Sequence, residues 1–180
     1  LMINKKIINK NMIPGWLISL VTFPGVIVHE WGHKKFCEWL GVPVYKVVYF
    51  QFGNPAGYVL HGETVNYRQT FWVSTGPLII NSLAAIVISF FATGIQIEIL
   101  TFILMWVAIS VGMHSFPSDH DMKHILIASK KELKNSGSLL HYLAFPFVGL
   151  IYLANVLSIL WWDFAYAIAL TMIGVSLAGY

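Results

Sequence analysis

His29-Glu30-Trp31-Gly32-His33 reads H-E-x-x-H. Residues four apart share one face of a helix, so His29 and His33 can hold one metal ion between two imidazoles. Glu30 then projects beside that ion, where its carboxylate can take a proton from a water that the ion has acidified. A catalytic zinc ion usually has three protein ligands and one open position, so a third ligand is expected elsewhere in the chain. The other concentrated set of ligand groups is His114-Ser-Phe-Pro-Ser-Asp-His-Asp121. Asp121, Asp119, His120 and His114 are all chemically able to serve. Two imidazoles, a carboxylate and an open position suit Zn2+, one per chain, although cobalt or iron fits the same donors.

The elements that carry these groups are apolar. Of 180 residues, 57% are hydrophobic and 11% charged, and the mean hydropathy is +0.70. A soluble domain has about 45–50% apolar and about 25% charged residues. The composition predicts an α-helical integral membrane protein, a single domain of about five transmembrane helices. Ionisable groups are costly inside hydrocarbon, so a Glu between two histidines there reads as functional. The bland alternative is a helix ending at the headgroup level beside Lys34 and Lys35. The net charge of +3 and pI near 9.0 do not imply nucleic acid, because the basic residues flank apolar runs. The lone Cys37 excludes an intrachain disulfide. The first apolar run carries the H-E-x-x-H, which argues against a cleavable signal peptide.

Taken in order, residues 1–12 read as a short interfacial segment or a loosely held terminus. The first span runs over about 13–40, from Pro14 to the Gly41/Pro43 stop. Residues 42–65 change to Val, Tyr and Phe with a Gly-Asn-Pro-Ala-Gly turn at 53–57. They predict a small membrane-associated β-hairpin, whose edge suits strand addition by an extended peptide. The second span, about 67–93, contains Gly76-Pro77 and Asn81. Pro77 frees a backbone carbonyl, and Asn81 is either a substrate donor or a helix–helix polar contact. A third span covers about 95–113. Residues 114–135 form the ligand loop and an amphipathic surface helix, closed by a Ser136-Gly137 break. Spans four and five cover about 139–160 and 163–180, and His141 reads as interfacial. In this layout Lys34, Lys35, Lys46, Arg68, Lys123, Lys130, Lys131 and Lys134 share one side, with Lys5, Lys6 and Lys10 opposite. That makes the first side cytoplasmic, with the centre nearer to it, in what is expected to be a prokaryotic cell membrane.

These motifs resemble the site-2 protease family of intramembrane zinc metalloproteases. The resemblance covers roughly residues 13–130. His29, Glu30 and His33 match its transmembrane H-E-x-x-H, and Gly76-Pro77 with Asn81 match its G-P-x-x-x-N helix. His114-Ser-Phe-Pro117 stands where N-x-x-P is expected, and Asp121 followed by His124-Ile-Leu is similar to its D-G-G-H-I-L. His114 replaces the Asn, and Met122 replaces the glycine after the Asp. No PDZ-like insertion is present. The resemblance implies that His29, His33 and Asp121 bind the metal, that Glu30 is the base, and that Asn81 contacts a transmembrane protein substrate.

Other classes compete. Phe116-Pro-Ser-Asp-His120 is similar to a segment of the membrane phosphatidic-acid phosphatases, but gripping phosphate takes arginines, and this chain has Arg68 alone. H-x-x-x-H at both 29–33 and 120–124 suggests a di-iron oxygenase, but seven histidines with no adjacent pair are too few. The non-enzyme alternative is an inactive relative that binds membrane helices as a scaffold. The retained Glu30 disfavours it.

Overall fold

The apolar run at 13–40 does not make one helix. The structure, a computed structural model, describes residues 15–135, 139–158 and 161–180. The expected interfacial segment 1–12, Pro14, the Ser136-Gly137 break and the His141 side chain lie outside the described residues. Within the run, α1 (Gly15–Val21) and α2 (Phe23–Trp39) are separated at Thr22. The cause is Pro24, which has no N–H to continue the ladder. The Thr22 hydroxyl turns back onto the Ile18 carbonyl at 2.7 Å. After Gly41, at φ 70°, the chain enters β1 (Val44–Val48), which pairs antiparallel with β2 (Tyr58–His61). Lys46 faces Leu60 and Val48 faces Tyr58, with a bulge between Val44 and Lys46. The hairpin expected over 42–65 therefore forms as two short strands.

Next comes α3 (Tyr67–Thr93), whose Asn66 side chain caps the Gln69 amide at 2.9 Å. It is followed by α4 (Glu98–Met113), α5 (Asp119–Asn135), α6 (Leu139–Leu157) and α7 (Trp162–Leu177). The central element is α3, which packs on α2, α4, α5 and α7. Ala85 of α3, Val111 of α4 and Leu170 of α7 make one core cluster. Met122 and Ile125 of α5 meet Val148 and Ile151 of α6 in another, closed by Phe71 and Leu78 of α3. Small residues let these helices approach closely. A Cβ at Gly112 would meet Ala167, one at Gly76 the Phe36 ring, and one at Gly174 the Ser89 hydroxyl and the Ile86 carbonyl.

The expectation of about five transmembrane helices is corrected by the helix lengths. Among the described residues only α3, of 27 residues, is long and apolar enough to cross a membrane. Helices α4 and α7 have 16 residues each, or about 24 Å against a hydrocarbon core of about 30 Å. The 17 residues of α2 include His29, Glu30, His33, Lys34, Lys35 and Glu38. Composition measures how apolar a segment is, not how far it runs as one uninterrupted helix. The division of the lysines between two sides rested on the first three of the expected crossings, of which α3 alone has the length and apolar character among the described residues.

Gly174→Ala should destabilise the chain by about 1–3 kcal/mol, because the new methyl overpacks the α3–α7 contact. Gly149→Ala, where a Cβ meets nothing within 4 Å, should be neutral or stabilising by up to about 1 kcal/mol. Denaturant or thermal unfolding of the two variants checks the contrast.

Candidate metal centre

Both histidines of α2 are buried, and their ring Nε2 atoms face each other at 3.1 Å. The His29 Nδ1 lies 2.7 Å from the His114 carbonyl oxygen, and the His33 Nδ1 lies 2.9 Å from the Val73 carbonyl oxygen. A carbonyl only accepts, so each Nδ1 carries a hydrogen and each ring turns its Nε2 toward the other; once unprotonated, that Nε2 is a lone-pair donor. Both carbonyls are free to accept for a structural reason. Val73 is four residues before Pro77, which has no N–H for it. His114 caps the C-terminal end of α4, where carbonyls have no helical donor. Pro77 also packs directly against α2, since a Cβ on Gly32 would lie 3.1 Å from its Cα.

Asp121 supplies the third group. Its Oδ2 lies 3.4 Å from the His33 Nε2. The carboxylate is held by a capping box at the start of α5. It accepts from the Ser118 amide at 2.9 Å and from the Ser118 hydroxyl, while the Asp121 amide donates back to the Ser118 Oγ at 3.3 Å. Burial pushes the Asp121 carboxyl up. Positive charge on His33, its hydrogen bond to that ring, positive charge on His29 and the Ser118 hydroxyl outweigh burial and hold the group well below the usual carboxylate range. Asp121 therefore stays an anionic donor as the pH falls through the ordinary carboxylate range.

Three electron-pair donors converge with no protein donor between them, and their ligand atoms all lie within 4.8 Å of one another. A proton can bridge two of them; a divalent ion satisfies all three. Tetrahedral bonds of about 2.0–2.1 Å place neighbouring ligand atoms about 3.3–3.4 Å apart. The His29–His33 and His33–Asp121 separations of 3.1 and 3.4 Å match that spacing, and the His29–Asp121 pair lies within 4.8 Å. The donor set therefore fits a zinc-like ion, although the same donors suit other transition metals.

Two clefts reach the centre. One, of about 310 Å³, is lined by His29, Glu30, the 54–57 turn and the 116–118 segment. The other, of about 420 Å³, is lined by β2 with the 62–64 segment, Val73, His120, Asp121 and His124. Glu30 is buried beside His29, and Gly57 covers it: a Cβ at Gly57 would come within 2.7 Å of the Glu30 Cγ.

The remaining candidates are placed differently. Asp119 and His120 are exposed on the first turn of α5. The His114 ring binds the Thr22 hydroxyl at 2.8 Å through Nε2. That hydroxyl already gives its proton to Ile18, so the His114 Nε2 is the donor, and what His114 contributes to the centre is its carbonyl. Asn81 is fully buried, and its amide nitrogen reaches the carbonyls of Gly25, Val111 and His114 at 3.1–3.3 Å. It borders neither cleft, and it joins α2, α3 and α4. Three contributors were missed from sequence: Val73, Ser118 and Gly57. The first two had a signal, namely the residue four before Pro77 and the S-x-x-D spacing. Gly57 had none.

No family model matches this chain, and neither does any curated protein or solved structure.

Purified protein should retain one tightly held divalent ion per chain. Asp121→Ala should lose it and Asp119→Ala should keep it, as read by elemental analysis after dialysis. Pro77→Ala restores an N–H that competes with His33 for the Val73 carbonyl. It should weaken the ion by about tenfold, the range of an outer-shell change, without lowering the unfolding temperature. Competition with a chelating dye, beside a melting curve, separates the two effects.

Proposed function

We propose that this chain is a membrane-embedded zinc metallopeptidase of the site-2 protease kind, hydrolysing peptide bonds of transmembrane or membrane-associated proteins. The observation that carries the reading is the convergence of the His29, His33 and Asp121 donors with the Glu30 carboxylate buried alongside. The ion's contribution, when bound, is Lewis acidity toward a water and a substrate carbonyl. Glu30 takes the proton from that water as its oxygen adds to the carbonyl carbon. The same carboxyl then gives the proton to the nitrogen as the C–N bond breaks. His29 and His33 need no reorientation, because the His114 and Val73 carbonyls already set their tautomers.

Substrate binding is supported by the position of β2. It pairs with β1 on one side and has no second strand partner among the described residues. Its residues line the cleft that contains Asp121, and the turn before it lines the cleft that contains Glu30. An extended segment added to that edge would run past the donors. The membrane setting is supported by α3, whose Leu83, Val87 and Phe91 lie one turn apart and are 58%, 51% and 65% exposed. Such a stripe suits lipid rather than water. On α5, Lys123, Lys130, Lys131 and Lys134 share an exposed face with Ile127, as expected beside anionic headgroups.

Glu30→Gln should keep the ion and lose about 10²–10⁴-fold in cleavage of a model membrane substrate, the usual contribution of a positioned base. Cleavage at the wild-type rate by this variant would end the peptidase reading.

A further inference from the structure

The second H-x-x-x-H is not used by the proposed reaction. His120 and His124 are exposed, lie one turn apart on α5, and their ring centroids are 4.5 Å apart. They face the larger cleft, whose other residues include His61 and Glu63. The His61 Nδ1 lies 2.8 Å from the Gly62 carbonyl. That bond places its hydrogen on Nδ1 and leaves Nε2 as a lone-pair donor. Three imidazoles and the Glu63 carboxylate thus border one space with Asp121, the one member of the His29–His33–Asp121 group that also lines this cleft.

We infer that His120 and His124 form a second, weaker site for a divalent transition metal, at the mouth of the cleft between β2 and α5. Imidazole pairs one helical turn apart chelate zinc, copper and nickel. Two protein donors are already adjacent, and among the described residues no third His, Cys, Asp or Glu atom lies close enough to join them. Water fills the remaining positions, so the site binds less tightly than the buried centre. An ion there stands in the passage along β2, so excess zinc would obstruct that cleft. The inference concerns binding and does not rest on the peptidase reading.

Equilibrium dialysis of the whole detergent-purified chain of 180 residues against rising Zn2+ tests it. The expected result is two ions per chain at saturation. The weaker ion should be lost in His120→Ala/His124→Ala, which keeps the tighter one, and retention of the tighter ion reports that the variant is folded. Conversely, Asp121→Ala should lose the tighter ion and keep the weaker. Copper binding to Asp121→Ala should give a spectrum with imidazole nitrogen hyperfine structure, absent when His120 and His124 are also replaced. Saturation of the wild type at one ion overturns the inference. So does a second ion that persists in the His120/His124 double variant, or the loss of both ions on changing either site alone.

Discussion

Two backbone carbonyls without helical donors hold the centre. One belongs to Val73, released by Pro77; the other belongs to His114, at the end of α4. Each takes the Nδ1–H of one histidine and so turns that ring's Nε2 toward the other. Without these acceptors the rings could rotate or change tautomer, and the two lone pairs would not face one space. The requirement reaches through the fold. The Val73 carbonyl must be on α3 beside α2, and α4 must end where His29 can reach it. Asn81 supports the second condition by binding carbonyls of α2 and α4 together.

Asp121 obeys a different constraint. It belongs to α5, yet its carboxylate must reach α2. The capping box with Ser118 orients it at the point where the helix begins, so the element that delivers the group also fixes its direction. The packing of Met122 and Ile125 against α6 and α3 then sets the depth of that first turn. A buried hydrophobic residue immediately after Asp121 thus links core packing to the position of its carboxylate.

Much of the centre was legible in the sequence. H-E-x-x-H put His29 and His33 on one face, and the 114–121 segment was the other source of ligands. Pro77 was read as freeing a carbonyl. Which carbonyl, and for what, required the contact between α3 and α2. Asp121 could not be separated from Asp119 by spacing alone, because both lie in the first turn of α5 and only the rotation of that helix divides them. The role of Asn81 was divided between two readings, and full burial places it between helices. The span count failed for a physical reason. Apolar residues accumulate along 13–40, but Pro24 divides that run, and α4 and α7 stop at 16 residues; apolar character alone does not report helix length.

A carbonyl acceptor has no side chain to mutate. Residues 73 and 114 supply their acceptors whatever their side chains, so those positions can drift without loss of the interactions that orient the rings. Position 77 cannot, because only proline lacks the N–H. Among the described residues, the Nδ1 atoms of His29 and His33 are therefore backed by main-chain carbonyls and not by the aspartate or glutamate that commonly backs a ligating histidine. The outer shell is recorded instead as one proline and the place where a helix stops. It is also electrically neutral: it orients both rings without adding negative charge, which leaves Asp121 and Glu30 as the anionic groups that set the charge balance around the ligands.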